Sequence, residues 1–489
     1  MSTVRKIGKN VSFLSAGNLI QKLLSLAMVI YLAQKLGVGD FGVYSFAFSF
    51  VLMFTVFGDL GVGTYIFREI AKDRTNASEL LGDAFIVKLG LFLFVLLAIF
   101  VSILGFHFLS PTEYPLIVVF FVLISGISLL LDSMAGLFRM IFFAFQEMQY
   151  EFFANTFYKI LLVFLTIGVL FLGFGLKEVF FAALFSSLIN FVLSFVLVVK
   201  KFTVPKIEVN FSRYKQLIIA GIPFCFLAVF MSFYANMDSV MLSFLQGNIS
   251  VGYYSAAMRL INTLSFIPAA FMSAIFPVMA SFFAVSNKSL NLVISKSFKY
   301  LLIVVLPVAF SVTLLSGRII ELIYPATELN NFAPAANALT ILIWFSVLNF
   351  LNLIFLNSLQ STKFEKRALY IVILSFGVNF VLNLFLIPLF DFEGAAIASV
   401  LSQIVFFLLG AYFVSKYFFG FLSFFKLVFR TSVKPLIASL VLFAFIYFFF
   451  YLNIFVLVLV SAIIYFIVLF LIKGFDEKDI SFFRKLIQK

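Results

Sequence analysis

Nine ionisable side chains lie within long apolar runs: Lys22, Asp59, Arg68, Lys88, Asp132, Arg139, Lys159, Asp238 and Arg259. Charge at bilayer depth is costly, so such residues face a bundle interior or wet cavity, pair with one another, or snorkel to the headgroups. Arg68 and Arg139 sit within about two turns of a run's end and fit snorkelling. Lys88 and Lys159 lie about ten residues in, and Lys22 about fourteen from either end of its run, too deep to snorkel easily. Asp238 and Arg259 flank a turn at residues 247–250, each about ten residues away, which puts both roughly 15 Å inward. Either the two brace a hairpin permanently, or they pair at rest and the guanidinium is released to an anionic ligand. Asp59 precedes Leu60 and Gly61 at an expected break in its span. Five basic residues (Lys22, Lys88, Arg139, Lys159, Arg259) stand against Asp59, Asp132 and Asp238. A hydrated chamber with that bias attracts an anion, and the planar donor fork of arginine matches phosphate oxygens.

What must position these residues follows from composition. Of 489 residues, 64% are hydrophobic and 11% charged, against about half and about a quarter in soluble domains. No soluble fold hides that much apolar surface, so lipid is the solvent. Soluble enzymes, DNA-binding proteins and disulfide scaffolds are poor readings. The net charge of +13 reflects basic loops on one membrane side rather than a nucleic-acid partner. Cys225 stands alone and reads as a small buried side chain. His107 reads as a solvated loop residue. The basic start, Met1 to Lys9, leads into an apolar run with no small-residue cleavage site, which predicts a first span rather than a removed signal.

Apolar windows of about twenty residues give fourteen expected spans, near 9–35, 41–70, 79–104, 115–146, 149–172, 177–200, 213–245, 251–284, 292–316, 333–361, 365–388, 393–416, 433–451 and 454–473. With a cytoplasmic N-terminus, 26 of the 34 Lys and Arg residues fall on the inner side, three on the outer edges and five inside spans. One missed helix would invert every later loop and destroy the bias. Both termini are thus expected in the cytoplasm, with the chain in the cytoplasmic membrane. Prolines at 223, 268, 277 and 307 are expected to interrupt spans seven to nine, as bendable points or as fixed kinks.

The chain also repeats itself. At an offset of 210, Gly37, Gly42, Tyr44 and Ser45 match Gly247, Gly252, Tyr254 and Ser255; at 213, residues 182–188 (AALFSSL) resemble 395–401 (AAIASVL). A duplicated six-helix unit follows, its copies related by an axis along the membrane normal because six is even. The expectation is an all-α integral membrane protein with lobes at 1–205 and 206–420, then two extra helices and a tail at 421–489. No phosphate-binding glycine loop appears, so an ATP-driven pump is a poor reading. The outer loops are short and hold no catalytic constellation, against a glycan polymerase or ligase. A transporter that is not an enzyme, with no metal and no cofactor, remains; a channel is the weaker alternative.

Several stretches resemble prokaryotic polysaccharide flippases of the multidrug/oligosaccharidyl-lipid/polysaccharide exporter superfamily. They are Asn10–Asp40 with Phe41-Gly42-Val43-Tyr44, Asp59-Leu60-Gly61 with Arg68, Asp238 with Met241-Leu242, and Val251-Gly252-Tyr253-Tyr254 with Arg259-Leu260 and Ile275-Phe276-Pro277. Residues 254–342 are also similar to lipid II flippases, whose cavity arginine in span eight falls on Arg259 and whose basic residue in span one falls on Lys22. Met28 and Val29 stand where that branch carries charge. The resemblance implies rocking-lobe alternating access that moves a polyprenyl-pyrophosphate glycan, its tail left in membrane lipids. Lys22 and Arg259 would hold the pyrophosphate, with Lys88 and Lys159 beside them. Asp238 would tune Arg259, Asp59 would carry a coupling cation, and Asp132, Arg139 and Arg68 would line the cavity. A cation-coupled multidrug antiporter of the same superfamily, which wants an acid-rich cavity, is the alternative.

Overall fold

The computed structural model describes residues 3–327 and 330–475; the basic tail counted in the charge bias lies outside them. Every regular element among the described residues is a helix, as lipid demands of a chain that must satisfy its backbone internally. In order they are α1 (Thr3–Thr55), α2 (Val62–Lys72), α3 (Ala77–Leu109), α4 (Leu116–Ala144), α5 (Met148–Phe171), α6 (Leu176–Lys201) and α7 (Phe211–Gln246). There follow α8 (Asn248–Leu264), α9 (Phe266–Val285), α10 (Asn287–Ile323), α11 (Ala335–Gln360), α12 (Glu365–Val414), α13 (Phe421–Phe448) and α14 (Ile454–Leu471). Twelve helical stretches are long and apolar enough to cross a bilayer. Two of them, holding α1 and α12, are each a pair of arms joined at Gly37 and at Asp391, and twelve candidate spans among fourteen helices stand beside the fourteen expected from sequence.

The expected break at Asp59 is present. Val56–Gly58 tightens to a 3₁₀ turn, and Leu60 and Gly61 take φ of 44° and 75°, where a left-handed backbone ends one helix and starts another. Gly221 of α7 packs on this break: a Cβ there would lie 2.4 Å from the Leu60 carbonyl oxygen. The prolines behave differently from expectation. Pro277 and Pro307 sit inside the continuous helices α9 and α10. The interruption of span eight falls instead at Ser265, three residues before Pro268, because proline fits the first helical turn, where no amide partner is needed. His107 is also not free in solvent. It ends α3, half-buried, with Nδ1 2.7 Å from the Tyr114 carbonyl oxygen. Cys225 is buried, as expected.

The chain forms two compact units. One holds the residues up to Arg259 with Thr327–Asn331 and Ile387–Phe392; the other holds Leu260–Ala326, Phe332–Leu386 and Glu393–Lys489. In the first unit the duplicated glycines meet. Gly37 (φ 79°, ψ 174°) and Gly247 (φ 87°, ψ 177°) share one backbone conformation, open to glycine and strained for other residues. Five residues on, a Cβ on Gly42 would lie 1.7 Å from the Asn248 carbonyl oxygen, and one on Gly252 would lie 2.3 Å from that of Val38. Val38 and Asn248 are themselves 210 apart, so the contact is reciprocal. Small residues of this kind let helix backbones touch inside membranes.

The α6–α7 connector is clamped on α3. The backbone amide of Lys206 donates to the Ser78 carbonyl (3.0 Å), and Gly82 leaves the space that the Lys206 carbonyl fills. Arg213 joins Glu79 (3.2 Å), Asp83 (3.0 Å) and Glu208 (2.9 Å). Lys206 and Arg213 hold the Glu208 carboxyl below its ordinary range, so its contribution is present at neutral pH and fades as pH falls through that lowered value.

Gly42→Ala and Gly252→Ala should each cost about 2 kcal/mol of stability, as overpacking does. Gly39→Ala, where a Cβ meets nothing within 4 Å, should be neutral. Thermal melts of the three purified variants check this, and three equal midpoints would refute the close crossing.

Candidate functional site

The deep polar residues gather on α4, α5 and α6 in the first unit. Asp132 and Arg139 are seven residues apart on α4, about two turns and therefore on one face. Asn190 of α6 sits between them. Its amide nitrogen donates to Asp132 Oδ1 at 2.9 Å, and its carbonyl oxygen accepts from Arg139 Nη1 at 3.3 Å. Asp132 Oδ2 accepts from the Tyr158 hydroxyl at 2.6 Å and the Ser187 hydroxyl at 3.1 Å. Arg139 Nε lies 3.2 Å from Glu151 Oε2 on α5, and Asn155 donates to Glu151 Oε1 at 3.4 Å. Each carboxylate is thereby answered by donors or by a cation, which a low-dielectric interior requires.

Lys159 is different. It follows Tyr158 on α5 and is half-buried, and both Asp132 and Arg259 lie within electrostatic reach of its ammonium. Among the described residues it has no hydrogen-bond or ion-pair partner. Arg259, on α8, is also half-buried, and its charge acts on Tyr44 as well. The structure thus brings two cations, Lys159 and Arg259, towards one another beside the Asp132 network. Lys22 of α1 is half-buried. Its neighbour Gln21 donates to Thr156 of α5 at 3.4 Å, one turn before Lys159, so α1 closes on the same face of α5.

The other expected site residues are engaged elsewhere. Lys88 is buried on α3 and donates to Asp59 Oδ1 at 2.6 Å and to the Ser133 carbonyl at 2.9 Å. The Asp59–Lys88 pair therefore pins α3 and α4 to the break after α1. Asp238 is buried and accepts from the Tyr254 hydroxyl at 2.7 Å, which ties α7 to α8 five residues before Arg259. Arg68 is exposed on α2, as a snorkelling side chain would be.

Residues that the charge-based reading passed over complete the network: Glu151, Asn155, Tyr158, Ser187 and Asn190. One signal was available, since Ser187, Asn190 and Ser194 recur every three or four residues along α6, a polar stripe on an otherwise apolar helix. The second unit carries a neutral counterpart. Asn352 of α11 donates to the Gln403 side-chain oxygen at 2.6 Å and to its backbone oxygen at 3.1 Å. Gln403 stands 213 residues after Asn190, the offset of the second repeated block.

Residues 7–283, more than half of the chain, match the family of polysaccharide biosynthesis proteins. The chain belongs to that family. A MatE family model matches residues 223–385. The chain is 22% identical to the "Probable flippase AglR" of Haloferax volcanii over 410 residues, 81% of each chain. Shorter stretches are 27% identical to the "Probable low-salt glycan biosynthesis flippase Agl15" of the same organism and to the "Uncharacterized membrane protein MJ1068" of Methanocaldococcus jannaschii. These matches span 38% and 37% of the present chain but only 39% and 35% of those relatives' lengths. Among solved structures it superposes on the lipid II flippase MurJ in an inward closed conformation. The TM-score is 0.76 at 17% identity, covering 98% of this chain and all of that one. An inward-facing multidrug resistance MATE transporter follows at 0.68 and 17% identity, covering 81% and 95%. The family member is thus a multi-pass membrane protein with the two-lobed helical fold that those structures share.

The Asp59–Lys88 pair gives an asymmetric prediction, because the Lys88 side chain is 3% exposed and that of Asp59 36%. Asp59→Asn leaves a buried ammonium without its anion and should cost about 3 kcal/mol. Lys88→Met leaves a carboxylate that water can reach and should cost less, and the double variant should recover most of the loss. Melting of the four proteins checks it; equal effects of the two single changes would refute the pair's burial.

Proposed function

We propose that this protein is a flippase for a lipid-linked glycan carried on a polyprenyl pyrophosphate, moving its cargo intact by alternating access of two lobes, residues 1–205 and 206–420. The observation that carries this reading is the approach of Lys159 and Arg259. An anion bound at Lys159 would lie within electrostatic reach of the Arg259 guanidinium as well. A pyrophosphate offers several oxygens for a guanidinium fork and an ammonium at once. Lys159 and Arg259 are therefore its principal contacts, with Lys22 extending the basic face from α1. The glycan would travel with the pyrophosphate through the polar interior while the polyprenyl chain stays in lipid.

Asp132, Arg139 and Asn190 serve this site as a scaffold that fixes α5, and hence Lys159, in orientation. Lys88 already occupies the Asp59 carboxylate, so this pair braces the first lobe, and a coupling cation at Asp59 would have to displace it. The family names of AglR, Agl15 and MurJ support a glycan or lipid II cargo over a cationic drug. So does the interior, where Asp59, Asp132 and Asp238 each have donors or a cation against them; an antiporter for cations wants an unanswered carboxylate. The charge bias supports cytoplasmic termini and a place in the cytoplasmic membrane.

Translocation of a fluorescent polyprenyl-pyrophosphate glycan in proteoliposomes tests the proposal. Arg259→Ala and Lys159→Gln should each slow it at least about tenfold, as loss of a charged hydrogen bond does, with Arg259→Lys intermediate. Wild-type rates in both neutral variants, at equal reconstitution, would remove these residues from the mechanism.

A further inference from the structure

The second unit carries a basic, aromatic corner where the turn between α11 and α12 meets the far end of α12. Ser415–Phe419, directly after α12, widen into a π-helical turn. The Gly420 amide closes it by donating to the Ser415 carbonyl at 2.7 Å, and the chain leaves it through Gly420 at a φ of 80°. Such turns recur at functional sites. Asn291 of α10 donates to the Phe418 carbonyl at 2.7 Å, which fastens the turn to the bundle. Its rings stack on the neighbouring turn: Tyr417 lies 4.0 Å from Phe364 at 13° and 6.2 Å from Phe413 at 6°. Three exposed cations are seated over this aromatic layer. Lys363 is 5.9 Å from the Phe364 centroid, Arg367 5.7 Å from that of Phe413 and Lys416 5.6 Å from that of Tyr412. A ring attracts a cation through its quadrupole but carries no charge to neutralise it, so the seat fixes the cation's position and leaves its charge for a further partner.

What lies beside the cations identifies that partner. Across residues 361–370 and 412–430 Glu365 alone is acidic, against Lys363, Lys366, Arg367, Lys416, Lys426 and Arg430. A surface of one sign favours an anionic partner. Immediately after Gly420, Phe421 is 60% exposed and Leu422 83%. Helix α13 has 28 residues, about 42 Å at the α-helical rise, against about 30 Å of hydrocarbon. Lys426, Arg430 and Lys434 fall in its first turns, which keeps that end out of the hydrocarbon and at headgroup level. Exposed Phe and Leu beside fixed cations at this depth match a lipid surface, with an acyl boundary for the apolar groups and phosphates for the charges. We infer that this corner rests on an anionic membrane surface: Lys363, Arg367 and Lys416 meet lipid phosphates while Phe421 and Leu422 enter the acyl boundary, which sets the depth of the α12–α13 connection. The inference uses none of the residues assigned to the cargo and stands whatever that cargo is.

The test uses the full chain with phosphatidylcholine and phosphatidylglycerol. In native mass spectrometry the wild-type protein should retain phosphatidylglycerol over phosphatidylcholine by about tenfold or more, and Lys363→Gln/Arg367→Gln/Lys416→Gln should lose most of that preference. Lys200→Gln/Lys201→Gln, which removes two exposed cations at the end of α6, should keep most of it. A fluorophore on Leu422→Cys, in the Cys225→Ser protein, should be quenched by nitroxide-labelled lipid and shielded from aqueous iodide in vesicles containing phosphatidylglycerol. That measurement decides the matter even where the triple variant does not fold. No preference in the wild type, an undiminished preference in the triple variant, or an equal loss in the α6 control would overturn the inference. So would displacement of the lipid by millimolar inorganic phosphate, which marks a free-anion site, or iodide quenching at position 422, which marks a face for a soluble partner.

Discussion

A charge inside a lipid-embedded bundle has to be met by an opposite charge, by dipoles or by a polar guest, because bulk water is not there to meet it. This one constraint orders the interior of the first unit. Asp132 is met by three donors, Arg139 by a carboxylate and an amide, and Lys88 by Asp59 and a carbonyl. Satisfying these groups demands that α4, α5 and α6 hold a fixed mutual register, so the same bonds that answer the charges also build a rigid lobe. Against that background Lys159 stands apart, with no hydrogen-bond or ion-pair partner among the described residues.

The two halves of the duplicated chain treat their cores unlike one another. Where the first uses an aspartate and an asparagine across α4 and α6, the second uses an asparagine and a glutamine across α11 and α12. An amide pair satisfies itself without net charge, so it fixes helix register at no electrostatic cost and attracts no ion. At this pair of matched positions the charge is confined to the first copy.

Much of the fold was legible from the sequence, and the reasons are physical. Span number followed from apolar length and the sidedness of Lys and Arg, both direct consequences of lipid as solvent. The breaks at Gly37 and Leu60–Gly61 were marked by glycines, and the repeat of Gly37 and Gly42 at Gly247 and Gly252 foretold matching backbone. Pairings were not legible. Asp59 meets Lys88 across 29 residues and Asp132 meets Asn190 across 58, and such contacts depend on helix rotation, which an almost uniformly apolar helix does not reveal. Attention to charge alone hid Tyr158, Ser187 and Asn190, which carry no charge yet decide where Asp132 points. Proline positions misled for a related reason: in α9 and α10 the surrounding packing tolerates a missing amide donor, so Pro277 and Pro307 do not end their helices.

The reciprocal glycine contact also bears on ancestry. Each backbone fills the hollow that the other copy leaves by lacking a side chain, so neither half can acquire bulk there unless its twin gives way in the same step. This mutual fit gives a physical reason for matched glycines in the two halves, beside the second matched block at 182–188 and 395–401.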